Sequence, residues 1–314
     1  MTVREINSPG KDRSDQEGWS DIPKDRKELI RLIEKIGIIA VRRTDGLLSG
    51  AHRSQFRGSG VDFTDLREYH PGDEIRAIDW NVTARQNCPF VREFTEDRDR
   101  TFYFVLDLSA SGEFGSETSI RKRALEVTAS LLFAAYRAND RIGLLLFSDR
   151  IERFIPAGRG RSHLITLLNT LVTCRPESRR TDLVPPLRFL ARMLRRQVSI
   201  VLISDFNARG FSESLRLLGK RHEVIAVRIT DPREHDLPDI GLVTLEDPET
   251  GDQVLVNTSD PGFRQGYRDE VQRGETELER TFAGCCIPSI QVPTTGPCAL
   301  LLTRFFGSTR RKSG

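Results

Sequence analysis

The chain has 314 residues, 38% of them hydrophobic, which at this length suffices for a buried core without disulfide or metal staples. Its 48 Lys and Arg against 45 Asp and Glu leave a net charge of +3 in a chain that is 30% charged, a surface of mixed sign that argues against a nucleic-acid footprint. Five cysteines without a CxxC pair, with Cys285 and Cys286 adjacent, offer no tetrahedral zinc set and read as reduced thiols of a cytoplasmic protein, and no run reaches the length of a membrane span.

Residues 1–23 are rich in Gly, Pro, Ser, Asp and Lys, show no periodicity, and predict a disordered tail without the apolar stretch of a signal peptide. From Lys24 to Arg43, Leu29, Ile33, Ile36 and Ala40 recur at spacings of three and four, which predicts a packing helix. Residues 45–98 break into short apolar pieces around GSG, HPGD and QNCP, with Pro71-Gly72-Asp73 the clearest turn signal. Residues 24–98 thus predict a small N-terminal module, a helix followed by short strands and turns. Its alternating acids and arginines, from Asp65 and Arg67 to Asp79, suit a salt-bridged surface.

Between residues 99 and 308 strands and helices alternate regularly. FYFVLDL is followed by a helix over Ile120–Ala138, strands at IGLLLFS and IERFI, and a helix over His163–Val172. After the basic loop PESRRTDL come a helix through LRFLARMLRR, the strand VSIVLISDF, a helix near SESLRLLGK and the strand EVIAVRI. Continuous apolar strands alternating with helices predict an α/β fold, a doubly wound and mostly parallel sheet with helices on both faces. The same domain takes in a hairpin at GLVTLEDPETGDQVLV, turning at DPETGD, a charged helix through RDEVQRGETELERTFAG and the apolar piece CALLLTRFF. Residues 309–314 form a basic tail.

Ligands of such sheets bind beyond the carboxyl ends of the strands. Three places there carry chemistry: Asp107, Ser109 and Ser111 after the first strand, Ser204 and Asp205 after VSIVLI, and the loop with Thr181 and Asp182. An isolated Asp-x-Ser-x-Ser is commonly a turn or a cap, because these side chains bond their own backbone. Two strand-end acids converging with several hydroxyls, however, suit a hard divalent cation such as Mg2+ or Mn2+, which takes oxygen ligands and keeps some of its water. The five histidines show no HExxH or paired spacing.

The set DLSAS, TDL and SDF resembles the metal-ion-dependent adhesion site of von Willebrand factor type A domains. The stretch from Gly50 to Phe306 resembles the domain of unknown function 58 family, through FRGSGVDFTDLREYHPGDEIRAIDWNVTAR, DRIGLLLFSD, LISDF and RITDPREHDLPDIG in that order. The resemblance implies a von Willebrand factor type A-like domain in which Ser109 and Ser111 bind the metal directly and Thr181 adds a third hydroxyl, while Asp107 and Asp205 act through waters or as alternates. Mostly neutral ligands leave the ion electron-poor, and an open position invites a carboxylate from a partner. Two departures stand out. Gly112 replaces a usual Met, and SRRTDL sets Arg179 and Arg180 beside Thr181 where small residues are common, which makes Asp182 the alternative to Thr181.

Proteins of this family resemble partners of MoxR-type AAA ATPases. The implied role is a non-enzymatic adaptor that works with such an ATPase on the assembly or maturation of an unknown client complex. The competing reading is a haloacid dehalogenase-like phosphohydrolase with Asp107 as nucleophile, but the acid expected two residues later is Ser109, a poor general acid near neutral pH. No Walker A loop or GxSxG elbow is present either.

Overall fold

The computed structural model of the chain describes residues 2–4, 62–69, 78–86, 88–95, 100–113, 118–235, 237–298 and 301–302. The strands are β1 (Thr2–Arg4), β2 (Asp62–Glu68), β3 (Phe90–Thr95), β4 (Thr101–Asp107), β5 (Arg141–Phe147), β6 (Ile151–Gly158), β7 (Ser199–Ser204), β8 (Glu223–Thr230), β9 (Leu242–Glu246), β10 (Gln253–Asn257) and β11 (Ser289–Pro293). The helices are α1 (Trp80–Gln86), α2 (Ile120–Arg137), α3 (Arg161–Thr173), α4 (Val184–Met193), α5 (Ser212–Gly219) and α6 (Pro261–Gly284). Two compact units result, Arg53–Asp99 on its own and Met1–His52 together with Arg100–Gly314.

In the smaller unit β2 and β3 pair antiparallel, with Asp62 opposite Thr95 and Glu68 opposite Phe90, and the register slips between Phe63 and Asp65. The buried Asp79 immediately precedes helix α1; its carboxylate accepts from Val82 N, and Asp79 N donates to Phe90 O of β3 at 2.8 Å. Phe90 N in turn donates to Thr83 Oγ1 at 3.1 Å. A helix was not expected in this segment. The expected helix over Lys24–Arg43, the Pro71-Gly72-Asp73 turn and the basic tail lie outside the described residues.

The larger unit is mixed α/β around a mostly parallel sheet of order β11-β8-β7-β4-β5-β6, in which β6 alone runs antiparallel to its neighbour. Side chains alternate across the pleat, so each strand feeds two cores. Phe102, Phe104 and Leu106 of β4 pack with α2 and α3 on one face, through residues such as Leu131, Leu132, Leu167 and Leu171. Tyr103 and Val105 pack on the other with Leu187 and Leu190 of α4, Leu215 and Leu218 of α5 and Phe282 of α6. Burial on both sides is why the central strands are continuous apolar runs. Gly143 has to be glycine, since a Cβ there would lie 2.3 Å from the ring of Tyr103, which crosses it from β4.

Several boundaries differ from expectation for local reasons. Helix α4 begins at Val184, because Pro185 and Pro186 fit a first turn whose N–H groups need no partner, and it ends at Met193. Helix α6 begins at Pro261, where Asp260 accepts from Gly262 N at 2.9 Å. The edge strand β11, which lies parallel to β8, was not anticipated. Nor was β1: Thr2–Arg4, within the stretch expected to be disordered, pairs with β9 in a separate three-stranded sheet β1-β9-β10. Cys174, Cys285, Cys286 and Cys298 form no disulfide. Among the described residues no helix is long and apolar enough to cross a membrane.

Candidate metal centre

Strands β4 and β7 are parallel neighbours with Leu106 opposite Ile203, so their carboxyl ends deliver Asp107 and Ser204-Asp205 side by side. Asp107 Oδ1 accepts from Ser109 N at 2.9 Å and Oδ2 accepts from Ser204 Oγ at 2.7 Å. Ser204 Oγ also accepts from Phe206 N at 2.9 Å, and Asp205 Oδ1 accepts from Asn207 N at 3.1 Å. The chain leaves β7 through a left-handed Phe206 at φ 60, a conformation L-residues rarely adopt. Its ring is held edge-on to Phe282 at 5.0 Å and beside Phe211, so core packing fixes the turn that presents Asp205.

After β4 the chain curls into a 3-10 turn, Ala110–Glu113, which brings the buried Ser109 and Ser111 hydroxyls to 2.9 Å from one another. Arg121, buried in the first turn of α2, donates to Leu108 O at 3.0 Å and Ser109 O at 2.8 Å and so fixes this loop. A Cβ on Gly112 would lie 3.2 Å from Arg121 Cβ, so the glycine lets the loop close onto that arginine. Asp107, Ser109, Ser111, Gly112, Arg121, Ser204 and Asp205 line one small hollow of about 10 Å³ together with Ile120, Ala124 and Ile229, the guanidinium of Arg121 being engaged with the carbonyls of Leu108 and Ser109. That is about the space one water molecule or one small cation needs.

Thr181 is not in the lining of this hollow. Its loop is fastened to the same sheet edge by Ala110 N donating to Arg179 O at 2.9 Å. Thr181 N and Oγ1 both donate to Glu249 from the β9–β10 turn, at 3.1 and 2.5 Å. Asp182, the alternative, accepts from Val184 N at 2.8 Å and is engaged in starting α4. Arg179 and Arg180 are exposed and do not enter the hollow, and Arg179 Nε donates to Pro248 O at 3.1 Å.

Loss of hydration and then the charge of Asp205 push the Asp107 carboxyl up from 3.8 to about 7, against the pull of hydrogen bonds from Ser109 and Ser204. Glu234, just beyond β8, is likewise pushed up to about 7, chiefly by burial, with Asp205 and Asp231 adding to it. Burial also raises Glu249, and Asp205 contributes again, while the bonds from Thr181 work the other way. Asp205 is therefore the charge shared by three acids around this edge. Among the described residues no three His, Cys, Asp or Glu side chains converge closely enough to hold a metal by themselves. A cation here has to use the serine hydroxyls, and the arrangement fits one: an ion-sized hollow, two hydroxyls, and two carboxylates, of which Asp107 is destabilised as a charge by burial and by Asp205. Sequence reasoning missed Glu249, Glu234 and Arg121. The acid at the hairpin tip, in DPETGD, reads locally only as a turn residue.

A family model described as "Protein of unknown function DUF58" matches residues 65–277. The uncharacterized protein Rv1480 of Mycobacterium tuberculosis is 33% identical over 291 residues, 91% of this chain and 92% of that protein. The uncharacterized protein YeaD of Bacillus subtilis is 26% identical over 106 residues, 34% of this chain and 25% of that protein. Among solved structures, the conserved hypothetical protein BatB from Bacteroides thetaiotaomicron aligns over 68% of this chain and 100% of its own, at 15% identity and a TM-score of 0.43. On the strength of the family match and of the mycobacterial relative, the chain belongs to the DUF58 family.

Proposed function

We propose that the larger unit works as a von Willebrand factor type A-like, metal-dependent protein-interaction module in the cytoplasm, binding Mg2+ or Mn2+ at the carboxyl edge of its sheet. The observation that carries this reading is the ion-sized hollow where the Ser109 and Ser111 hydroxyls meet the carboxylates of Asp107 and Asp205. Ser109 and Ser111 would hold the ion, Asp107 and Asp205 would orient its waters, and Thr181 would add a hydroxyl from the neighbouring loop. When bound, the ion supplies an electron-poor centre with a position open to an acid from another protein. Asp107 accepts from Ser109 N and Ser204 Oγ, which orients its carboxylate. In the role proposed here the protein is a non-enzymatic adaptor of a MoxR-type AAA ATPase acting on a client complex.

The test is calorimetric titration of the full chain with Mg2+ and Mn2+, comparing wild type with Asp107→Ala. Binding by the wild type that is lost in the variant supports the site. Equal binding by both, or none by either at millimolar metal, removes it. Metal-dependent capture of the ATPase encoded nearest this gene, reversed by a chelator, then tests the adaptor role separately.

A further inference from the structure

The tip of the β9–β10 hairpin is built to hold one carboxylate in place. Asp247 Oδ1 accepts from Glu249 N at 2.9 Å, and Thr250 Oγ1 donates to both Asp247 at 3.1 Å and Asp252 at 2.9 Å. Gly251 turns the chain at φ 77, and its N–H donates to Asp247 O at 2.8 Å. Below the tip, Val243, Leu245 and Val256 form a small core with Leu237, packed on Phe263 and Tyr267 of α6, so the hairpin is anchored independently of what its tip touches. The half-buried Glu249 takes both the N–H and the hydroxyl of Thr181 through its two oxygens, and Arg179 grips the neighbouring Pro248 O. Ala110 N, between Ser109 and Ser111, donates to Arg179 O at 2.9 Å, so the loop that Glu249 holds is joined to the serine loop of the hollow.

Resting on the metal-site reading above, we propose that Glu249 is an internal carboxylate held beside the hollow on the Thr181 loop, so that the protein covers the approach to its own site and an acidic partner binds by displacing the hairpin tip. A ligand carried on the same chain acts at an effective concentration in about the millimolar range or above. Free carboxylates of the cell are then kept out. Only a partner with further contacts elsewhere on the surface can take the place of Glu249.

The experiment uses the full chain with Mn2+ and with acetate as the probe, reading the relaxation of the acetate methyl protons by protein-bound Mn2+. Wild type, Glu249→Ala and Glu249→Gln are compared, with Mn2+ occupancy measured in each by calorimetry. The Gln variant keeps the side-chain shape but not the charge, so it guards against a hairpin that has merely loosened. The expected result is acetate relaxation about tenfold greater in both variants than in the wild type, the size of a typical coupling between sites. Equal relaxation in all three with Mn2+ bound overturns the inference and leaves the metal site standing, since Glu249 would then only brace the Thr181 loop. Failure of the wild type to bind Mn2+ at millimolar concentration overturns the metal site and this inference together.

Discussion

Replacing Asp107 by Asn is expected to make the metal-free protein more stable and unable to respond to metal. The Asp107 carboxyl is raised from 3.8 to about 7 in the folded protein, first by loss of hydration and then by Asp205. At about 1.4 kcal/mol per unit, roughly three units put an upper bound of about 4 kcal/mol on the cost of holding its charge. Asn abolishes that cost but accepts fewer hydrogen bonds, and losing or reversing the bond from Ser204 costs about 1 kcal/mol. A net gain of about 1–3 kcal/mol corresponds to a rise in Tm of roughly 2–4 °C for each kcal/mol in a domain of this size. The sign follows from proton binding. The folded state holds this proton more tightly than the unfolded chain, so metal-free stability falls as pH rises from about 4 to about 7, and the penalty is complete above that range. The gain in Asp107→Asn should therefore be large near pH 8 and vanish near pH 4. Mg2+ should raise the Tm of the wild type most at the upper end and leave the variant unmoved. Thermal melts in chelator and in Mg2+ across this range decide the matter. A variant that melts at or below the wild type near pH 8 without metal refutes the strained-acid account.

Three other outcomes are expected. Arg121→Ala removes the donor to Leu108 O and Ser109 O and should lower stability by about 2–3 kcal/mol, as for hydrogen bonds from a charged group, while weakening Mn2+ binding in calorimetry. Gly143→Ala forces a methyl into the Tyr103 ring and should cost about 1–3 kcal/mol in denaturant unfolding, with metal affinity unchanged in the folded fraction. His222 is buried with neither ring nitrogen hydrogen-bonded, and burial together with Arg221 lowers its pKa below 6.5. The unfolded state then binds the proton first, so the wild type should lose stability on acidification below about pH 6.5 relative to His222→Leu, as read by denaturant unfolding on either side of that value.

The parallel sheet was legible because its central strands are buried on both faces and so run as unbroken apolar segments, as in Thr101–Asp107 and Ser199–Ser204. Those runs end in polar residues, and a parallel sheet places such ends at one edge. That is why the juxtaposition of Asp107, Ser109, Ser111 and Asp205 followed from sequence. What was not legible depends on distant partners. Strand β11 has only Ile290 and Val292 as its buried apolar residues, too short an alternation to stand out without the edge of β8 beside it. Glu249 meets Thr181 across 68 residues of chain, and nothing local in DPETGD marks it as more than a turn residue. Arg121 opens a helix where an exposed cation is ordinary, and only the folded loop turns its guanidinium onto the carbonyls of Leu108 and Ser109.

The central claim is that an ion is held between the serine hydroxyls. Anomalous diffraction from crystals of the full chain soaked in Mn2+ tests it most directly. The account predicts a peak at about 2.1 Å from the oxygens of Ser109 and Ser111, with the carboxylates of Asp107 and Asp205 reached through waters or directly. Soaked crystals with no peak at the ends of β4 and β7, or with Mn2+ bound only elsewhere, would contradict it.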